Sequence, residues 1–191
     1  MATGELGQMC NPREGTHPVP GAAWAADNGC FGKDYPGDAR WIDWLRRYAA
    51  READRCLFAV APDVVGDAEA TIARSLPWVP VIRHLGYPVA FVAQDGQQHV
   101  EVPWAALDVL FVGGTTEFKL GPAAAHLVRE ALDRGKRVHM GRVNSLRRYT
   151  YAKALGCHTV DGTYLSFGPV KNLARLRRWG MTQPATTGGA Q

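Results

Sequence analysis

The chain has 191 residues, 46% of them hydrophobic and 21% charged. This length can bury one substantial core and suits a single domain better than two. No stretch approaches the roughly 18 apolar residues of a membrane span, and no basic start precedes an apolar run, so we expect neither membrane insertion nor secretion but a cytoplasmic protein. The four cysteines lie far apart and form no CxxC pair. Reduced thiols are therefore expected rather than a disulfide framework or a zinc knuckle.

Strand-like and helix-like segments alternate from about Trp24 onward, which predicts βα units and a parallel sheet. Most of the predicted strands are continuously apolar, as is typical of strands buried on both faces. Seven strands are predicted, counting a weak first one: Leu6–Cys10, Trp24–Asp27, Cys56–Val60, Pro88–Ala93, Leu107–Val112, Val138–Gly141 and Thr159–Asp161.

Helical spacing and capping residues predict the connecting helices. One predicted helix is interrupted by prolines, and one segment is only a single turn. The helical segments are Asp38–Ala53, Asp67–Leu85 with interruptions at Pro77 and Pro80, the turn Trp104–Ala106, Gly121–Leu132, Ser145–Leu155 and Asn172–Trp179.

The pattern favours a trimmed or irregular (β/α)8 TIM-like barrel over an open doubly wound sheet. A full eightfold barrel usually needs about 250 residues, so the loops and helices must be short. We predict one barrel domain over residues 1–180 and a flexible C-terminal tail over residues 181–191.

The bases of the chain are concentrated near its end, although the formal net charge is only +4. Between Arg134 and Arg178 there are eleven Lys and Arg residues, and the one acid is Asp161. A nucleic acid or a phosphate-bearing ligand would explain this density, and a solvated helix face explains it equally well.

Polar residues follow nearly every predicted strand, which is where a parallel barrel builds its active site. Three of them are the aspartates Asp27, Asp63 and Asp161, each at the end of a strand-like run. The full set of strand ends is Asp27-Asn28-Gly29, Asp63, Gln94-Asp95-Gly96, Gly113-Gly114 with Glu117, Met140-Gly141-Arg142 and Asp161-Gly162.

Three converging acids suggest acid, base and nucleophile roles at a sugar carbon, as in retaining glycosyl transfer. That chemistry needs two carboxyl groups about 5 Å apart. A metal-carboxylate site is the alternative. The two histidines inside predicted strands, His139 and His158, are expected to be core or supporting residues rather than metal ligands.

The order of these motifs resembles the tRNA-guanine transglycosylases and the related DNA enzymes that insert 7-deazaguanines. The likeness covers the chain from about Trp24 to Thr163. It rests on Asp27-Asn28-Gly29-Cys30-Phe31, Asp63, Val92-Ala93-Gln94-Asp95-Gly96, Gly113-Gly114-Thr115-Thr116-Glu117, and His139-Met140-Gly141 followed by Val160-Asp161.

The resemblance implies a role for each matching residue. Asp161 is expected to be the nucleophile that forms a covalent glycosyl intermediate, and Asp27 the general acid and base. Phe31 and Met140 would sandwich the ring of the base. The residues expected to hydrogen-bond its edge are Asp63, Gln94, Gly113 and Gly114, with Glu117 as a weaker candidate.

The chain departs from the tRNA enzymes in its short length and in lacking their Cys/Cys/Cys/His zinc subdomain, so no metal and no cofactor are predicted. These departures favour a compact, phage-type member acting on DNA rather than tRNA, placed in the host cytoplasm if phage-encoded. The expected partners are nucleic acid, a free 7-deazaguanine base and either a second copy or a partner subunit. Phosphates flanking the target would contact Lys119, Arg142, Arg147, Arg148 and Lys171.

The expected function is therefore base exchange by a pentosyltransferase that replaces guanine in nucleic acid. Two alternatives stay open at this point. One is a nucleosidase or base-excising glycosylase that uses water as acceptor, and the other is a non-catalytic barrel that binds nucleobases or nucleic acid.

Overall fold

A computed structural model describes residues 6–181. Its centre is a sheet of seven strands that follow one another in chain order, and every neighbouring pair is parallel. The strands are β1 (Gln8–Cys10), β2 (Trp24–Ala26), β3 (Cys56–Val60), β4 (Val89–Ala93), β5 (Val109–Val112), β6 (Arg137–Met140) and β7 (Thr159–Val160).

Residues 6–181 also contain seven α-helices and short 3₁₀ turns, and the last helix follows the last strand. Buried residues of the first, third and fifth helices pack on the outer face of the sheet. The helices are α1 (Asp38–Glu52), α2 (Ala68–Ser75), α3 (Val79–His84), α4 (Thr116–Leu120), α5 (Pro122–Asp133), α6 (Leu146–Leu155) and α7 (Pro169–Met181).

Local chemistry sets the helix ends. The Asp67 carboxylate accepts a hydrogen bond from the Ala70 amide and caps α2, as its position before the helix predicts. The predicted interruption at the prolines is a 3₁₀ turn, Leu76–Trp78, between α2 and α3. Helix α4 was not predicted, because five residues are too few to show a helical period. Helix α7 begins three residues earlier than predicted, at Pro169, where a proline fits the first turn.

Alternate residues of each strand face opposite sides of the sheet, and the two sides have different cores. The outer side packs against the helices and is continuous with buried residues of α1, α3 and α5. The inner side is a separate cluster built from strand residues alone: Ala25, Phe58, Val60, Ala90, Val92 and Val109, with Met9, Leu57 and Phe111 at its margin.

The sheet is a curled, irregular barrel, which confirms the predicted fold class. Within residues 6–181 the edge strands β1 and β7 do not pair with each other. A cavity of about 900 Å³ lies between them and is bordered by residues of α7. No helix in this part of the chain is long and apolar enough to cross a bilayer. Of the predicted flexible tail, Met181 ends α7 and residues 182–191 lie outside the described residues.

We expect Asp67→Ala to lower the free energy of unfolding by about 1 kcal/mol, because the first turn of α2 loses its side-chain acceptor. Urea unfolding monitored by circular dichroism measures the change. Asp43→Ala is the matched control, since that exposed aspartate only pairs with Arg46 on the surface and should contribute about 0.5 kcal/mol or less. Equal losses in the two variants would contradict the capping role.

Candidate functional site

A small cavity of about 180 Å³ opens at the carboxyl ends of the strands. The register of the sheet brings its residues to one level. Val112 pairs with Met140 and Met140 with Val160, so the residues that follow each of them lie side by side. Because side chains alternate along a strand, these next residues face inward. The inward positions at this level are Gln94, Gly113, Gly141 and Asp161, and they line the cavity together with Asp27, which follows β2.

Two glycines keep the cavity open. A Cβ atom on Gly141 would lie 2.7 Å from a ring carbon of Phe111 and 3.3 Å from Oδ1 of Asp161. A Cβ atom on Gly113 would lie 2.5 Å from a methyl carbon of Val92. Any other residue at either position would therefore displace the cavity wall. Glycine at these two strand ends thus permits the close approach of neighbouring side chains.

Asp27 has an unusual affinity for protons. Burial raises the pKa of its carboxyl group to about 7, and the negative charges of Asp161 and Asp63 push it in the same direction. A hydrogen bond from the Gly29 backbone opposes the shift. Near neutral pH Asp27 is thus divided between its acid and carboxylate forms, which allows it to donate or accept a proton.

Asp161 lies in a different environment. Its Oδ1 atom is 3.0 Å from Nε2 of His139 and accepts a hydrogen bond from the backbone N–H of Arg142 at 3.2 Å. The other ring nitrogen of His139 lies 2.8 Å from the Thr159 hydroxyl. His139 is buried and packs against the rings of Phe58 and Phe111. The imidazole and the Arg142 N–H therefore fix the orientation of the Asp161 carboxylate in the cavity wall.

Asp63 is held by the protein on both carboxylate oxygens. Asn28 donates to Oδ1 at 2.8 Å and Gln94 donates to Oδ2 at 2.6 Å. Burial raises the pKa of Asp63, and these two hydrogen bonds oppose the rise. The Gln94 carbonyl in turn accepts from the Gly66 amide at 3.0 Å. Asp63 and Gln94 thus form a fixed polar wall, since most of their hydrogen-bonding capacity is used within the protein.

Cationic side chains line another part of the cavity wall. Lys119 on α4 is buried, and its Nζ donates to the carbonyl oxygen of Gly141 at 3.0 Å. The guanidinium of Arg142 donates to the Gly114 carbonyl and lies 4.2 Å from the ring centroid of Phe31. Phe31 is exposed at the mouth of the cavity. Lys119 and Arg142 thus form a cationic wall of the cavity, which meets the acids where the Arg142 N–H contacts Asp161.

Some of the residues expected to act at this site lie elsewhere. Met140 is buried in the core between the sheet and the helices, because it occupies an outward position in β6, so it cannot sandwich a ligand. Glu117 is exposed on α4 and does not line the cavity. Lys119, expected on a nucleic-acid surface, is buried in the cavity wall instead. Arg148 is half-buried behind Arg142. The two remaining basic residues, Arg147 and Lys171, are exposed and outside the cavity lining.

Other residues of the site had not been singled out as site residues. Asn11, Arg13 and Glu14, from the loop after β1, line the cavity. Nothing in their sequence context marked them, since a loop rich in Pro and Gly carries no periodicity. His139 was expected only as a core or supporting residue, and its place two positions before Gly141 on the inward face is the signal that links it to Asp161.

A metal ion is one group that clustered acids could hold. Among residues 6–181, no three His, Cys, Asp or Glu side chains are grouped closely enough to hold an ion. The aspartates instead accept hydrogen bonds from amide groups and lie near a histidine. These residues do not fit a metal centre.

The chain is similar to several solved structures. No protein-family model and no curated protein matches it. Three of the matching structures are Klebsiella pneumoniae BlrP1 in a calcium/cyclic di-GMP complex (16% identity, TM-score 0.45), a standalone EAL protein from Vibrio cholerae O395 with bound cyclic di-GMP (15%, 0.44), and the EAL enzyme Bd1971 with cAMP and cyclic di-GMP (12%, 0.44). The matches cover 75%, 76% and 75% of this chain and 38%, 64% and 39% of those chains. This chain thus spans less than two thirds of each, and at such TM-scores the likeness carries no conclusion about ligand or activity.

The comparisons correct the expected family. Of the three structures, two are EAL proteins and the third is BlrP1, none is a guanine transglycosylase, and no family model or curated protein supports the resemblance. The identification as a transglycosylase is therefore wrong, and with it the pentosyltransferase activity, the nucleic-acid substrate and the 7-deazaguanine partner. The nucleosidase and nucleobase-binding alternatives have no support either. Short motifs of Asp, Gln and Gly at strand ends occur wherever a parallel barrel builds a polar cavity, so they do not specify one chemistry.

The raised pKa of Asp27 predicts a pH dependence of stability. Between about pH 4 and 7 the folded protein keeps a proton on Asp27 that the unfolded chain has lost. The contribution of this group is thus complete below pH 4 and is lost as pH rises through 7, at up to about 1.4 kcal/mol per pH unit. We expect Asp27→Asn to remove this slope and to be more stable than the parent protein at pH 8. Urea unfolding from pH 4 to 8 measures it, and parallel curves for the two proteins would contradict the shift.

Proposed function

We propose that this chain is a hydrolase that cleaves an ester bond of a small polar molecule, with Asp161 as general base and Asp27 as general acid. The observation that supports the proposal is the contrast between these two carboxyl groups in one small cavity. Asp27 retains a proton up to about pH 7. Asp161 is oriented by His139 and by the backbone N–H of Arg142. Two carboxyl groups held in different environments within one cavity are typical of an acid and base pair.

The reaction follows from this contrast. Asp161 takes a proton from a water molecule as the water oxygen bonds to the ester centre. The bond to the leaving oxygen then breaks, and Asp27 supplies the proton that this oxygen needs. Lys119 and Arg142 lie on the cationic wall, where they would stabilise negative charge that develops on the ester. Each step uses groups that the chain itself provides.

The cavity size limits the substrate. Sites that enclose a drug-sized ligand usually measure about 300–1,000 Å³, whereas this cavity measures about 180 Å³. It holds the reacting group and little more. Cyclic di-GMP, bound in the three solved structures above, could enter only in part, with the rest of the molecule on the rim beside Phe31. A cyclic dinucleotide is therefore one substrate to test among smaller phosphoesters and carboxyl esters.

The test is hydrolysis of p-nitrophenyl acetate, p-nitrophenyl phosphate, bis(p-nitrophenyl) phosphate and cyclic di-GMP. Nitrophenolate release or chromatography measures the product. For any substrate that is turned over, we expect Asp161→Asn to lower kcat by at least about 100-fold, because the amide cannot accept the proton of water. Asp133→Asn, an exposed aspartate at the end of α5, is the matched control and should leave the rate unchanged. Hydrolysis that survives Asp161→Asn undiminished, or no turnover of any ester by the folded protein, would overturn the proposal.

The role of Asp27 as general acid predicts a specific pH dependence of the reaction rate. As a general acid it must be protonated, so kcat/KM should fall as pH rises through about 7. Asp27→Asn should lower the rate and also remove this high-pH decrease. A high-pH decrease of unchanged midpoint in the variant would assign the titration to another group.

A further inference from the structure

The cationic wall of the cavity has no matching anion in the protein. Among residues 6–181, Lys119, Arg142 and Arg148 make no ion pair. Their donors go instead to neutral oxygens. Lys119 donates to the Gly141 carbonyl, Arg142 to the Gly114 carbonyl, and Arg148 to the Arg142 carbonyl and the Thr116 hydroxyl. The three side-chain cations thus lie around two strand ends, and none of the charged groups contacts a carboxylate.

Burial makes this arrangement costly. Lys119 is only 3% exposed, and a buried charge without a partner is strongly unfavourable. Burial lowers the pKa of Lys119 to about 8, and the nearby positive charges of Arg142 and Arg148 lower it as well. The negative charges of Asp161 and Asp95 oppose this lowering, but neither carboxylate forms an ion pair with Lys119. An anion bound between Lys119 and Arg142 would reduce the repulsion between these two positive charges and give each of them an ionic partner.

We propose that Lys119 and Arg142 form a subsite for the phosphate group of the substrate, with Arg148 behind them. Both side chains line the cavity and have unused donors. Lys119 has three N–H donors and Arg142 has five, and the structure assigns one of each to a carbonyl. A tetrahedral phosphate has enough oxygen atoms to accept hydrogen bonds from both side chains at once, whereas a carboxylate has only two oxygen atoms.

This inference rests on the proposed hydrolase activity for its substrate class, which it narrows to phosphate esters. It also fixes the orientation of the substrate. The phosphate would lie on the side of β5 and β6, which places its ester oxygens near Asp161, whose Oδ1 is only 3.2 Å from the Arg142 amide nitrogen. The part beyond the phosphate would extend toward Asp27 and the Asp63–Gln94 wall.

Anion binding can be measured without turnover. The probe is inorganic sulfate, a tetrahedral dianion that does not titrate near pH 8, with inorganic phosphate alongside. Calorimetry at pH 8 in two buffers of different ionisation enthalpy gives the protons taken up per anion. We expect about half a proton per sulfate, because the amine is half protonated at this pH. Above pH 8 the sulfate affinity of the unaltered protein should fall by about tenfold per pH unit.

Variants of Lys119 distinguish the effect of its positive charge from the effect of its proton uptake. Lys119→Met should lower sulfate affinity by at least tenfold, whereas Lys119→Arg should bind sulfate with no proton uptake. Lys171→Met, on the exposed face of α7, is the matched control and should behave as the unaltered protein does. If the Lys119 variants do not fold, the pH dependence of sulfate affinity in the unaltered protein still tests the subsite. A constant affinity from pH 7 to 9.5, or equal binding of acetate, overturns the subsite.

The subsite and the hydrolase can fail separately. Asp161→Asn should abolish turnover yet bind sulfate as tightly as before or more tightly, since it removes a nearby negative charge. Sulfate binding with no hydrolysis of any ester would retain the subsite and reject the enzyme. Hydrolysis of carboxyl esters alone, with no anion binding, would retain the hydrolase and reject the subsite.

Discussion

The site depends on one geometric constraint, the level register of parallel strands whose side chains alternate between two faces. Because β4, β5, β6 and β7 are in step, the residues after their last hydrogen-bonded pairs lie side by side on the inner face. A shift of one residue in any strand would exchange inner and outer faces and send Asp161 or Gln94 into the helix-facing core. The apolar outer positions exclude that shift, since it would expose Val112, Met140 or Val160 to the cavity instead.

Gathering acids at one edge has an electrostatic cost, and the chain offsets it by three different means. Asp63 receives two amide donors on its carboxylate. Asp161 faces an imidazole. Asp27 has no donor beyond the Gly29 backbone amide among the influences on its pKa, and so keeps its proton to a higher pH. The carboxyl group whose pKa rises to about 7 is thus the one with the fewest hydrogen-bond donors, and such perturbed pKa values are concentrated at functional sites.

The sequence predicted the barrel well because its strands are apolar, short and separated by clear helix signals such as Asp67 and Pro122. It also predicted which strand ends would converge, since that follows from a parallel sheet. It could not predict orientation: Met140 and His139 are adjacent, and only the face that each occupies decides which one enters the site. Nor could it show that Lys119 is buried, because α4 is too short to reveal a pattern. Chemistry was the weakest inference, since the same polar strand ends serve many reactions.

Arg142 shows how the two walls of the cavity are connected. Its φ angle of 58° is in the left-handed region, which costs a residue with a side chain roughly 1–2 kcal/mol. That conformation points its amide N–H at Asp161 while its guanidinium reaches across to Gly114 and lies over Phe31. One strained residue therefore sets the direction of the base and the position of the cation together. An ester bound by that cation is brought to that base, so recognition and catalysis would share a single backbone geometry.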